Sequence, residues 1–187
     1  MVRLKPARTM RNASAQAWAR YSLKNPKKNY VKALPHTSLL IFKMGQEKPY
    51  DVELRLESQQ KIQLRSNALE AARLLVNKQL EAQLPQNYLF RVLVYPHNVI
   101  REHKMATGAG ADRVSQGMSL SFGKGVSVAA RVQRNQPLFS LRVSNANRRL
   151  AAEVLKKASL KLSGAYKIKA YDIKITNGKN AHPTAVS

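Results

Sequence analysis

The chain has 187 residues, with 33 Lys and Arg against 10 Asp and Glu and a formal net charge of +23. Self-repulsion on that scale destabilises a compact state, which argues against an ordinary enzyme and demands a polyanionic partner, nucleic acid first. Hydrophobic residues at 44% exclude a wholly disordered basic chain, and the absence of cysteine excludes disulfides, thiol nucleophiles and thiolate metal sites. The length is a prior for one domain. The apolar runs, such as Leu39-Leu40-Ile41-Phe42, fall far short of the roughly 20 residues of a membrane span. The first six residues lack the apolar stretch of a secretory signal.

Arg3, Lys5, Arg8, Arg11, Arg20, Lys24, Lys27, Lys28, Lys32 and Lys43 all precede the first acid, Glu47. Apolar periodicity is weak there, Pro6, Pro26 and Pro35 interrupt it, and Trp18, Tyr21 and Tyr30 lie among the cations. Residues 1–37 therefore read as a basic arm that orders on RNA, cations on phosphates and aromatics on bases or sugars.

From Tyr50 the pattern is regular. Tyr50, Val52, Leu54 and Leu56 alternate with Asp51, Glu53, Arg55 and Glu57, which predicts a half-buried strand with its acids on a solvated face. Ile62 and Leu64 alternate after Ser58-Gln59-Gln60, predicting a hairpin. Asn67 and Glu70 have capping-box spacing, and Leu69, Ala72, Val76, Leu80 and Leu84 step round one helical face until Pro85. Arg73 and Lys78 lie off that stripe, where they can reach RNA.

Residues 88–95 are apolar on both parities and predict a strand covered on both faces. Residues 126–132 alternate again, and Phe139, Leu141 and Val143 follow Pro137 in a further strand. A second helix is expected from about Asn147 to Ser159, with Leu150, Ala151, Val154, Leu155 and Ala158 buried. The last strand runs from Tyr166 to Ile175; its apolar parity flips between Ala170 and Tyr171, as a bulge there would allow. The expected fold class is α+β: a mixed or antiparallel sheet with two helices packed on one side, a basic N-terminal arm and a glycine-rich loop. The core spans 38–176 with the loop at 101–117, and 177–187 form a flexible tail.

The sequence Gly108-Ala109-Gly110-Ala111-Asp112-Arg113 invites a phosphate-loop reading and fails it. Arg113 stands where a dinucleotide fingerprint needs its third glycine, and Gly123-Lys124 is followed by Gly125 rather than Ser or Thr. What remains is a long basic loop whose glycines permit unusual backbone angles. Asp112 has a local role, capping a turn or pairing with Arg113. His36, His97, His103 and His182 are scattered, and with no cysteine and few acids no metal site is expected. No nucleotide, cofactor or small-molecule substrate motif survives, so no catalytic residue is assigned. The loop cations Arg101, Lys104, Arg113, Lys124, Arg131 and Arg134 are candidates to fork across phosphates or stack on bases.

Pro96-His97-Asn98-Val99-Ile100-Arg101-Glu102-His103-Lys104 runs into Ala106-Thr107-Gly108-Ala109-Gly110-Ala111-Asp112-Arg113-Val114-Ser115-Gln116-Gly117-Met118, with Phe122-Gly123-Lys124 and Ala129-Ala130-Arg131-Val132 behind it. Together with Ala68-Leu69-Glu70-Ala71-Ala72-Arg73-Leu74, this closely resembles the large-subunit ribosomal protein family called L-ten-e in archaea and eukaryotes, part of the universal L-sixteen family. The resemblance runs roughly from Lys43 to Ile175, and its Ala106-Thr107-Gly108 variant looks archaeal.

The resemblance implies a structural protein of the cytoplasmic large ribosomal subunit, seated on rRNA beside the aminoacyl-tRNA site among neighbouring ribosomal proteins. It also implies that tRNA is a transient partner and that peptide transfer is left to RNA. It assigns Arg101, His103, Lys104, Thr107, Gly108, Gly110, Asp112, Arg113, Gln116 and Gly117 to the loop facing the tRNA site. The arm cations, with Arg73, Lys124, Arg131 and Arg134, are then assigned to rRNA. A free-standing RNA chaperone or regulator is the alternative.

Overall fold

A computed structural model describes residues 6–13, 35–102, 106, 108–114, 123–173 and 184–185. In chain order its elements are α1 (Ala7–Met10), β1 (Lys43–Gly45), β2 (Val52–Ser58), β3 (Ile62–Arg65), α2 (Ser66–Gln83), β4 (Leu89–Val92) and β5 (Asn98–Glu102). Then come α3 (Ala111–Val114), β6 (Lys124–Val132), β7 (Pro137–Val143), a 3-10 turn (Asn145–Asn147), α4 (Arg148–Ser159), β8 (Tyr166–Asp172) and β9 (Thr184–Ala185). The fold is α+β, with the strands in two antiparallel sheets: six strands in the order β1-β4-β7-β2-β8-β9, and three in the order β3-β6-β5.

The two sheets explain why β2 and β3 are not a hairpin. β2 pairs with β7 and β8, whereas β3 pairs with β6 in the other sheet. Between β2 and β3 the chain crosses to the other sheet across residues 59–61, and between β6 and β7 it crosses back across 133–136. The crossings are bonded to each other: Ser58 N–H donates to the Gln136 carbonyl (3.1 Å), and Asn135 N–H to that of Ser58 (2.7 Å). Alternation reports which residues share a face; it does not choose the partner strand.

Both long helices form for the reason their periodicity gave. α2 buries Leu69, Ala72, Val76 and Leu80, and α4 buries Ala151, Val154, Leu155 and Ala158. They pack on each other; α4 also covers β2, β7 and β8, and α2 covers β3 and β6. The core continues through Leu54, Leu56, Phe90, Phe139 and Leu141, where the Phe90 and Phe139 rings meet edge to face with centroids 5.3 Å apart. Each such side chain, fully buried, contributes about 1.5–3 kcal/mol. α2 starts at Ser66 with Arg65 at its cap and no side-chain capping bond, so the Asn67–Glu70 box does not form. Glu70 turns instead to Arg73.

β8 runs in continuous register against β2 from Tyr166 to Asp172, without the expected bulge. Tyr166, Ile168 and Ala170 pack toward the core, and the parity flip sends Tyr171 to the opposite face. Beyond the strand, Ile173 is described, but residues 174 and 175 lie outside the described set. Within 177–187, Thr184 and Ala185 pair with Asp172 and Tyr171; the others lie outside it.

Candidate nucleic-acid interface

The three-stranded sheet carries the first group of expected RNA-facing residues. Residues of the arm are fastened to its β3 edge. Gln63 N–H donates to the Arg11 carbonyl (2.8 Å), Gln63 Nε2 to that of Met10 (2.9 Å), and Asn12 bridges Ile62. Ala13 is buried, and its carbonyl accepts from Arg131 Nη2. Arg8 and Arg11 are therefore presented from an anchored segment, and both are exposed.

β5, read from sequence only as the approach to the loop, is a strand paired along β6. Its pairing sets Arg101 opposite Gly125 and Glu102 opposite Lys124, after a register shift at Ile100/Arg101. Arg101 and Lys124 are exposed, and Arg131 is half-buried at the far end of β6, about 23 Å along at 3.3 Å per residue. Arg134 is exposed on the crossing between the sheets. These cations are spread along the sheet and its exit rather than gathered in a cluster.

In the glycine loop, two backbone bonds wind α3: Ala111 N–H to the Gly108 carbonyl (3.2 Å) and Arg113 N–H to that of Gly110 (3.1 Å). Gly108 and Gly110 have φ of +126° and +81°, a region side chains disfavour, and no atom lies within 4 Å of where either would carry a Cβ. The backbone angle, not crowding, demands glycine here. Arg113 is exposed. The side chain of Asp112 lies outside the described set, as do His103, Lys104, Thr107, Gln116 and Gly117 of the loop and Arg3, Lys5, Arg20, Lys24, Lys27, Lys28 and Lys32 of the arm.

Two expectations about side-chain placement are corrected. Arg73 does not project from the outer face of α2. It is buried, with Nε and Nη2 donating to the two Glu70 oxygens at 2.8 and 2.5 Å, and Nη1 directed at Met44 Sδ. A side chain one position off an apolar stripe still lies over the helix boundary, and β1 closes over it.

The second correction is larger. Glu53 and Glu57 are not on a solvated face: they are 2% and 4% exposed. β2 is the interior strand between β7 and β8, and its neighbours bring cations over the acids. Glu53 accepts from Arg55 Nε (2.5 Å), Ser140 Oγ (2.9 Å) and Arg142 Nε (3.1 Å). Burial pushes its carboxyl up, but the Arg55 and Ser140 bonds and the two guanidinium charges outweigh it and hold it below the ordinary range. Glu57 accepts from Tyr171 Oη (3.0 Å) and pairs with Lys169 Nζ (2.8 Å), and the Arg55 guanidinium stacks 4.7 Å over the Tyr171 ring. Composition flagged these acids as scarce; only strand order shows what surrounds them.

Among the described residues no group of three or more His, Asp or Glu could hold a metal ion, and no helix is long and apolar enough to cross a membrane.

The model of the family described as ribosomal protein L16p/L10e matches residues 19–169. The chain belongs to that family. Curated relatives agree over most of their length. The large ribosomal subunit protein uL16 of Methanococcus maripaludis strain C5 is 40% identical over 167 residues, 88% of this chain and 92% of the relative. That of Picrophilus torridus is 41% identical over 166 residues, 88% and 90% of the two chains. That of Methanoculleus marisnigri is 43% identical over 143 residues, 75% and 79%. The family match begins at residue 19, inside the arm, earlier than the resemblance starting at Lys43 suggested.

Proposed function

We propose that this chain, a structural constituent of the large ribosomal subunit and not an enzyme, sits on large-subunit rRNA beside the aminoacyl-tRNA site and helps to position tRNA. The observation that carries the reading is likeness to uL16 of about 40% identity over most of the chain, joined to a charge of +23 that only a polyanion can offset. rRNA and neighbouring ribosomal proteins are its standing partners in the cytoplasmic subunit; tRNA is a transient one.

In this reading the anchored arm with Arg8 and Arg11, together with Lys124, Arg131 and Arg134, neutralises rRNA phosphates. The glycine loop offers Arg113, together with Arg101, His103, Lys104, Thr107, Asp112 and Gln116, toward tRNA. Arg73 is left out of the interface because it is buried and its Nε, Nη1 and Nη2 are all engaged inside the fold. The alternative, a free RNA chaperone or regulator, lacks a specific observation in its favour.

Sedimentation tests the main reading. The chain is expected to travel with the large subunit through a moderate salt wash, and recovery only in the free pool would favour the alternative. Removing 105–116 is expected to leave the fold intact and to slow tRNA accommodation or subunit maturation. Unaltered translation by that deletion would remove the role given to the loop.

A further inference from the structure

The six-stranded sheet has two faces, and only one belongs to the core. Strand register gathers Lys43 on β1, Arg91 on β4, Arg142 on β7, Arg55 on β2, and Lys167 and Lys169 on β8 on the face opposite the helices. The carboxylates that meet them are those of Glu47, Glu53 and Glu57. Six cations against three carboxylates leave a surplus of three positive charges among the described residues of this face.

The carboxylates are placed beneath the cations rather than beside them. The side chains of Arg55 and Arg142 are 27% and 33% exposed, while that of Glu53 between them is 3%. Both arginines engage Glu53 through Nε, the inner nitrogen of the guanidinium. The outer nitrogens are the part of the fork that grips a phosphate in two places. A buried acid–arginine set is no economical way to stabilise a strand, since apolar residues of similar size often do as well or better. Its evident yield is orientation: two forks and, through Glu57 and Tyr171, a lysine held at fixed positions on a rigid sheet.

We propose that this outer sheet face is a second RNA-docking surface, on which Glu53 and Glu57 act as positioning residues that aim Arg55, Arg142 and Lys169 at rRNA phosphates. The proposal rests on the rRNA-binding reading above and deepens it. Charge complementarity selects the occupant: a surplus of fixed cations suits a phosphate backbone.

The test measures binding of the full-length protein to large-subunit rRNA across a potassium chloride series. Arg55→Gln with Arg142→Gln is compared with Lys156→Gln plus Lys157→Gln, which removes the same charge from the exposed side of α4. Loss of two phosphate contacts is expected to flatten the log–log salt slope by about 1.5 for the sheet pair, with little change for the helix pair. Equal slopes for the two pairs overturn the proposal, because net charge alone then accounts for binding.

Glu53→Gln supplies a test by sign. It makes the chain one unit more positive, so a mere charge effect tightens binding; the proposal expects binding several-fold weaker. Circular dichroism at the binding temperature confirms that each variant is folded, and Arg55→Lys, which keeps the charge and loses the fork, repeats the test if Glu53→Gln is not. Retention of wild-type affinity by the sheet variants also overturns the proposal and leaves the face to a protein neighbour. If the wild-type protein shows no salt-dependent rRNA binding, the underlying reading falls, and the surface with it.

Discussion

The outer sheet face and the glycine loop both present cations, and they hold them in opposite ways. On the sheet, Arg55 and Arg142 are fixed by Glu53, and Lys169 and Tyr171 by Glu57. In the described part of the loop, a one-turn helix rests on two bonds that accept at Gly108 and Gly110. The sheet meets the desolvation cost of buried carboxylates to fix geometry in advance. The described part of the loop is shaped by its backbone instead, through the positive φ of Gly108 and Gly110 and the bonds their carbonyls accept. Basic surfaces of one protein can thus be set by side-chain pairing in one place and by backbone conformation in another.

The widest separation between the regions should come from Glu53→Ala. Removing the shared acceptor of two guanidiniums and Ser140 is expected to cost about 2–4 kcal/mol, read as a lower denaturant midpoint. A change under about 0.5 kcal/mol would place Glu53 among ordinary surface acids. Acid should erase the same contribution in the wild type. The folded-state pKa of Glu53 lies below its ordinary value of 4.5, so its share of stability is full above that value. It is lost as pH falls through the lowered folded pKa. Thermal melts from about pH 6 down to about pH 3 should therefore fall more steeply for wild type than for Glu53→Gln, and parallel curves would contradict this.

A smaller loss, about 1–3 kcal/mol, is expected for Arg73→Ala, which leaves the partly buried Glu70 without its partner. Its salt slope for rRNA should be unchanged, because Arg73 serves the fold; a flatter slope would return it to the interface. Gly110→Ala should cost about 1–2 kcal/mol, since its φ of +81° penalises any side chain while nothing crowds the added methyl. Hydrogen exchange should detect that change in α3 and not in β2. Smallest is Lys124→Ala. Stability should hold within about 0.5 kcal/mol while the salt slope flattens by about 1.

Much of the fold was legible in the sequence. The periodicity of Leu69, Ala72, Val76 and Leu80 and of Ala151, Val154, Leu155 and Ala158 is local, and a helix needs only local bonds to declare itself. β7 and most of β6 were equally clear. β5 was not, because His97 to Lys104 was read as the entry to a glycine-rich sequence and its pairing with β6 depends on residues more than twenty positions away. The supposed hairpin failed for a related reason: a short polar connection between alternating segments fits a turn, and it fits equally well a chain leaving one sheet for another. Of the candidate interface, the loop and arm were marked by composition. The sheet face was missed because acids at alternate positions ordinarily indicate solvent, whereas burial here follows from β7 and β8 flanking β2.

The sequence by itself determined the α+β class, the two long helices, the need for a polyanion and, through one glycine-rich stretch, the family. Those properties rest on local periodicity, summed charge and residue identity, all of which survive in an unfolded chain. Tertiary structure alone decided strand order, the anchoring of residues 10–13 on β3, and the conversion of Glu53 and Glu57 from apparent surface acids into buried acceptors. The reason is that hydrogen-bond partners and solvent exposure belong to pairs of distant segments, and no single segment carries them.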